Sequence, residues 1–149
     1  MEVVILIGIQ ATGKSSFYKD NFFRTHIRIN LDMLKTRNRE DILIDACVRA
    51  KQSFVVDNTN PSAMDRKKYI DIAKAAGAKV IGYYFQSSID EVIPRNEKRT
   101  GKEHVPLAGI KGTYTKLQIP DKGEGFDELY YVRINAEGQF EIEKWKYEV

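Results

Sequence analysis

At 149 residues the chain is long enough for one substantial core and too short for two, so residues 1–149 read as one domain. Hydrophobic residues at 42% and charged residues at 30% are an ordinary balance for a folded, water-facing protein, and a net charge of +3 permits an anionic ligand without demanding one. One cysteine, Cys47, excludes an internal disulfide and fits a reducing, cytoplasmic setting; the apolar start after Glu2 lacks the basic flank of a signal peptide and the length of a membrane span.

Val3-Val4-Ile5-Leu6-Ile7 is an apolar, β-branched run of buried-strand length. It leads into Gly8-Ile9-Gln10-Ala11-Thr12-Gly13-Lys14-Ser15, which fits G-x-x-x-x-G-K-[ST]. Residues 16–23 follow as a helix burying Phe17 and one or both of Phe22 and Phe23. A strand, a glycine loop and a helix start in that order make a phosphate cradle. The glycines let the main chain turn so that amides from Gly8, Gln10, Ala11, Thr12, Gly13 and Ser16 can face an anion, and the helix N-terminus adds partial positive charge. Lys14 can then bridge the β- and γ-phosphates, with the Ser15 hydroxyl on Mg²⁺.

His26 to Asn30 alternates polar and apolar as a short second strand and runs into a helix start at 31–35, with Asn30 as its cap. Residues 35–39 are basic and turn-like. A helix resumes over 40–51, with Ile42, Leu43, Ala46, Cys47 and Ala50 on its apolar face. Ser53-Phe54-Val55-Val56-Asp57 is a third strand ending in a carboxylate. Pro61, after Asn58-Thr59-Asn60, opens a helix to Ala76 in which Tyr69, Ile70, Ala73 and Ala76 face inward. Residues 79–85 form a fourth strand, 88–99 a helix with a basic end, and 106–117 another helix. After a turn-rich link, 129–134 is a fifth strand, and 139–149 reads as a hairpin. The change of apolar phase from Phe140 and Ile142 to Trp145 and Tyr147 suggests a bulge there. Strands alternating with helices give an α/β three-layer sandwich with a mainly parallel five-stranded sheet of P-loop type and a C-terminal antiparallel hairpin strand. Ligands then gather at the C-terminal ends of the strands.

Three further constellations meet at that edge. Asp32, beyond the second strand, can take a proton from an attacking hydroxyl, or it can simply complement the dipole of its helix. Asp57 can stand near the metal, often through water, while Asn58, Thr59 and Asn60 offer polar groups that serve either an acceptor or the turn itself. Arg95 and Arg99, spaced i and i+4, read as one basic helical face that could neutralise a transferring phosphoryl group or merely be solvated. Tyr114 is a possible stacking surface for an adenine, or a packing residue.

Taken together, GIQATGKSS, the INLD segment, VVDNTNPSAMDRKKY followed by AKAAG, and IPRNEKRTGKEHVP resemble the kinase domain of polynucleotide 5′-hydroxyl kinases, over roughly residues 2–120, with the EGF segment at 124–126 extending it. The resemblance implies an ATP- and Mg²⁺-dependent phosphotransferase with a 5′-OH nucleic-acid end as acceptor. It makes Asp32 the general base, Lys14 and Ser15 the holders of phosphate and metal, and Arg99 the lid arginine with Arg95 lining the nucleotide side. Asn58, Thr59 and Asn60 would lie by the acceptor, whose backbone phosphates Lys35, Arg37 and Arg39 would contact. Where the family often carries an arginine three residues after the base, this chain has Lys35, which supplies charge without a bidentate fork. The stretch between Asp32 and the third strand is short, and no D-x-D-x-T phosphatase pattern occurs. A short acceptor side keeps a small-molecule hydroxyl in play, and a nucleotide-dependent switch is the reading from outside enzymology.

Overall fold

Five apolar residues in a row leave a strand with no side to turn to water, and Val3 through Ile7 are each 0% exposed. They form β1 (Glu2–Ile7), the middle of the sheet in this computed structural model, which describes residues 1–146. β1 pairs in parallel with β3 (Phe54–Val56) on one side and β4 (Lys79–Phe85) on the other. Outside them lie β2 (Ile27–Ile29) and β5 (Glu128–Ile134), also parallel, and β6 (Phe140–Lys144) pairs antiparallel with β5. The order is β2-β3-β1-β4-β5-β6, the architecture expected from the alternation of strands and helices.

Strand alternation sends successive side chains to opposite faces, and each face acquires its own helices. On one face, α1 (Lys14–Asn21) and the residue that caps its end bury Phe17, Tyr18 and Phe22 against Val4, Leu6, Val55 and Phe85, while Phe23 stays outside. On the other, α3 (Arg37–Ala50) and α4 (Ala63–Ala75) bury Ile44, Cys47, Tyr69, Ile70 and Ala73 against Val3, Ile5, Val56 and Val80. Cys47 is a buried filler, its thiol pushed up in pKa by burial. A third cluster, Ile9, Ala11, Val92 and Ile110, packs α5 (Ile89–Glu97) and α6 (Leu107–Lys116) onto the glycine loop.

Several boundaries differ from the sequence reading. α3 starts at Arg37, because the Thr36 hydroxyl accepts from Arg39 N and caps it; residues 37–39 are helix rather than turn. Its buried stripe is Ile44 and Cys47, leaving Ile42 63% exposed. α4 starts after Ser62, which forms a reciprocal capping box with Asp65, so Pro61 stands before the cap. At the C-terminus no bulge interrupts β6: the register from Tyr130↔Lys144 to Ile134↔Phe140 is continuous. The phase change has a simpler cause. Phe140 packs against Phe17 on the α1 face, whereas Trp145 reaches Tyr84 on the other, so both sheet faces are covered by one edge. Tyr147 lies outside the described residues.

Two contacts fix β4 and α4 to the late part of the chain. Gly82 in β4 is required because a Cβ there would come within 2.7 Å of the Phe126 ring. Arg66, 0% exposed, gives Nε and Nη2 to the Glu124 carboxylate at 2.8 and 3.1 Å, and Nη1 to Asn60 O and Pro61 O. Truncating Glu124 strands that guanidinium, and breaking a buried pair from one side costs about 3–5 kcal/mol. Glu124→Ala should therefore lose about that much stability in urea melts. A loss below about 1 kcal/mol would mean the carbonyls of residues 60 and 61 suffice.

Candidate active site

The glycine loop closes around its own lysine. Gly13, at φ 94, turns the chain into α1, a left-handed conformation in which a Cβ would also meet the Phe140 ring at 2.9 Å. No side chain caps α1, so its first amides keep their capacity for an anion. Lys14 is 8% exposed and donates from Nζ to Gly8 O (2.9 Å) and Ile9 O (2.7 Å). Burial lowers its pKa to about 8 against the opposing pull of Asp57; the charge of Arg99 lowers it further and that of Asp32 raises it. One ammonium thus feels Asp57, Arg99 and Asp32 together, although they lie on three separate segments.

The other loop residues divide. Thr12 turns inward, its hydroxyl donating to Ile9 O at 2.9 Å, and Ala11 is buried in the left-handed region at φ 61. Gln10 reaches away to α6, donating to Thr113 Oγ1 at 3.0 Å, and its Oε1 is the buried side-chain oxygen without a hydrogen-bond partner among the described residues. Ser15 and Ser16 are exposed at the α1 start.

Asp57 directly follows β3 at 2% exposure, and the Ser15 hydroxyl donates to its Oδ2 at 3.0 Å. A hydroxyl and a carboxylate are hard oxygen donors suited to Mg²⁺ bound chiefly by phosphates and water. The corner also accommodates positive charge, since Arg28 places Nε 2.8 Å from Asp57 Oδ2 and Nη2 3.0 Å from Ser15 Oγ. These residues fit the ion.

Asp32 is exposed in the first turn of α2 (Leu31–Leu34), a four-residue helix held from below. Asn30 caps it at Met33 N and donates to Asp57 O, and Asn58 Oδ1 accepts from Leu31 N at 2.9 Å. Asn58 thus faces α2 rather than the crevice. Asn60 is also turned away: at 4% exposure its amide donates to Leu6 O at 2.8 Å. Thr59 is half-buried, and its carbonyl accepts from Gly8 N. The side chains of Asn58 and Asn60 are spent on joining β1, α2, α3 and α4, because polar groups at a buried strand exit need partners.

Lys35 and Arg39 are exposed, and Arg37, its side chain 60% exposed, donates to Glu40 and to Tyr69 Oη. Glu40 is 0% exposed and is reached by Lys68 Nζ at 3.0 Å and Tyr69 Oη at 2.9 Å. Burial would raise its carboxyl pKa, but hydrogen bonds from Lys68 and Tyr69 and the charges of Lys68 and Arg37 outweigh it and hold Glu40 below its ordinary 4.5. A lowered carboxylate contributes stability above that value and loses it as pH falls through the folded pKa. Below pH 4.5 the wild type should therefore lose stability more steeply than Glu40→Gln, and at pH 7 the variant should be the weaker one. Parallel acid limbs in urea titrations would refute this.

α5 ends at Glu97, so Arg95 and Arg99 do not share a helical face. Arg95 turns back to Glu91 at 3.7 Å; Arg99 lies in the following turn, its guanidinium donating to Glu103 O at 3.1 Å. Sequence reading missed Asn96, which is 3% exposed and bonds both Val105 N and Val105 O, closing the segment that carries Arg99. It missed Arg28 and Glu40 as well. Tyr114 is 46% exposed on α6.

A parallel α/β sheet with a lysine-filled glycine loop at the strand ends, and a hydroxyl and a carboxylate at its side, is the arrangement of a P-loop nucleotide-binding domain. The family described as AAA domain matches residues 3–118, and the chain belongs to it. It is 27% identical over 150 residues to a bifunctional polynucleotide phosphatase/kinase of Schizosaccharomyces pombe, covering 98% of this chain and 36% of that protein. It is 26% identical over 145 residues to an L-seryl-tRNA(Sec) kinase of Methanococcus maripaludis, covering 84% of this chain and 56% of the other. The chain therefore spans about a third and just over half of these relatives. In fold it is similar to Chaetomium thermophilum Kti12 in complex with ADP-AlF3, with a TM-score of 0.66 at 13% identity over 91% of this chain and 92% of that one. Among the described residues, no helix is long and apolar enough to cross a membrane.

Proposed function

We propose that the chain transfers the γ-phosphate of ATP to a 5′-hydroxyl end of DNA or RNA. The observation that carries this reading is the glycine loop closed on the buried Lys14, with the Ser15 hydroxyl bonded to Asp57 at its side. The amides of residues 8–16 would hold the phosphates, and Lys14 would exchange its loop carbonyls for phosphate oxygens. Mg²⁺ would be held by Ser15 and Asp57 and would supply charge neutralisation at the phosphates. Asp32 takes the proton from the attacking hydroxyl oxygen as the new O–P bond forms and the bond from the γ-phosphorus to the β–γ bridging oxygen breaks, with ADP as the leaving group. Arg99 offsets the charge on the transferring group, and Arg95 lines the nucleotide side.

On the acceptor side, Lys35, Arg37 and Arg39 would contact backbone phosphates, with Thr59 beside them; Asn58 and Asn60 would act through the loop they hold. Binding through phosphate contacts weakens steeply as salt rises. The likeness to the polynucleotide phosphatase/kinase supports this acceptor. The likeness to the L-seryl-tRNA(Sec) kinase supports a second reading, a hydroxyl acceptor other than a 5′ end.

The test is an acceptor panel with labelled ATP: 5′-OH and 5′-phosphorylated oligonucleotides, nucleosides, sugars and a serine-bearing tRNA. Transfer confined to 5′-OH ends is expected. Brisk transfer to a nucleoside, a sugar or the serine-bearing tRNA, with none to 5′-OH ends, would select the second reading.

A further inference from the structure

Arg28 is the middle residue of β2, level with Val55 of β3, and its side chain points to the α1 face. There it closes a triangle. Its Nε donates to Asp57 Oδ2 at 2.8 Å, its Nη2 to Ser15 Oγ at 3.0 Å, and Ser15 Oγ donates to the same Oδ2 at 3.0 Å. The arginine side chain is 29% exposed and the aspartate 2%. Asp57 is thus a buried carboxylate whose compensating charge belongs to the protein itself, and a buried charge left without such a partner is costly.

The two oxygens that Arg28 engages are the two assigned above to the divalent ion, so this inference rests on that nucleotide reading. A dication recruited there must share those oxygens with a guanidinium or push it aside, and like charges at such separations repel by several RT even at surface-like dielectric. We infer that Arg28 is a built-in counter-cation of the Ser15–Asp57 corner: it competes with the divalent ion and makes nucleotide binding less dependent on metal. Arg28 is here a positioning residue, acting on the substrate only through Asp57 and Ser15. The charge, rather than the fork, is what competes with the ion, and a lysine at the same strand position would supply it.

The experiment compares wild type, Arg28→Gln and Arg28→Lys as full chains, after thermal melts establish folding. Mn²⁺ affinity of the ADP complex is read by electron paramagnetic resonance, and ADP affinity in EDTA by calorimetry. Glutamine keeps an N–H donor and removes the charge. Arg28→Gln should bind Mn²⁺ about tenfold more tightly and ADP in EDTA more weakly, with Arg28→Lys close to wild type. A Mn²⁺ affinity in Arg28→Gln that is unchanged or weaker overturns the inference, because loss of a merely structural partner cannot tighten the metal. An equal gain in Arg28→Lys also overturns it.

Should Arg28→Gln not fold, the wild type with ¹⁵N-labelled arginine decides. The Arg28 Nε–H signal should persist in ADP with EDTA and move when Mg²⁺ is added, and a signal indifferent to Mg²⁺ overturns the inference. If ADP fails to bind the wild type at all, the proposed nucleotide site falls and this inference with it; if ADP binds and only the metal comparison fails, the inference alone falls.

Discussion

Asp32→Asn should bind ADP as tightly as the wild type and transfer phosphate about 10²–10⁴ times more slowly, the usual contribution of a general base. Asparagine keeps the shape of the side chain and removes its basicity. The substitution leaves α2 standing, because the cap of that helix is Asn30 and its first amide is held by Asn58. Calorimetry and single-turnover transfer separate the possibilities. Lost ADP binding would assign Asp32 to the phosphate or metal side, and a rate loss of only about twofold would leave it as a complement to the dipole of a short helix.

Arg99→Ala should lower kcat by about 10³ or more, the scale on which an arginine stabilises a transferring phosphoryl group. Nucleotide affinity should fall far less. Arg99 follows the end of α5, and the segment carrying it is closed by Asn96 and Val105, which the substitution does not touch. Arg99→Lys should recover only part of the rate, since an ammonium restores charge without the planar fork. A rise in KM at constant kcat would make Arg99 a ground-state contact.

What the sequence revealed and what it hid have a common physical cause. β1, β3 and the glycine loop were readable because a strand buried on both faces must be apolar throughout, and because a phosphate cradle restricts the residue type at fixed positions. Asp57 was readable for the same reason, as a carboxylate closing an apolar run. Arg28 was not. In the sequence it is the polar half of a short alternation, and its meaning comes from a register that brings β2 level with Val55, within reach of Asp57 and Ser15. Asn58 and Asn60 look in the sequence like groups offered to an acceptor. Their inward orientation follows from buried acceptors, Leu6 O and the Glu40 carboxylate, and a buried donor near α2, Leu31 N, that must be paired. The i, i+4 spacing of Arg95 and Arg99 put them on one face only if the helix ran on, and α5 stops between them. The C-terminal aromatics carried a real change of phase, whose cause was two sheet faces rather than an inserted residue.

The central claim is that a hydroxyl acceptor stands between Asp32 and a triphosphate held on the glycine loop. A crystal structure with a non-hydrolysable ATP analogue and a short 5′-OH oligonucleotide tests it most directly. The account predicts the Asp32 carboxylate about 2.6–3.2 Å from the 5′ oxygen, with the γ-phosphate beyond that oxygen and Arg99 turned onto it. A nucleotide seated on the loop with Asp32 directed to solvent, and the oligonucleotide end elsewhere, would contradict it.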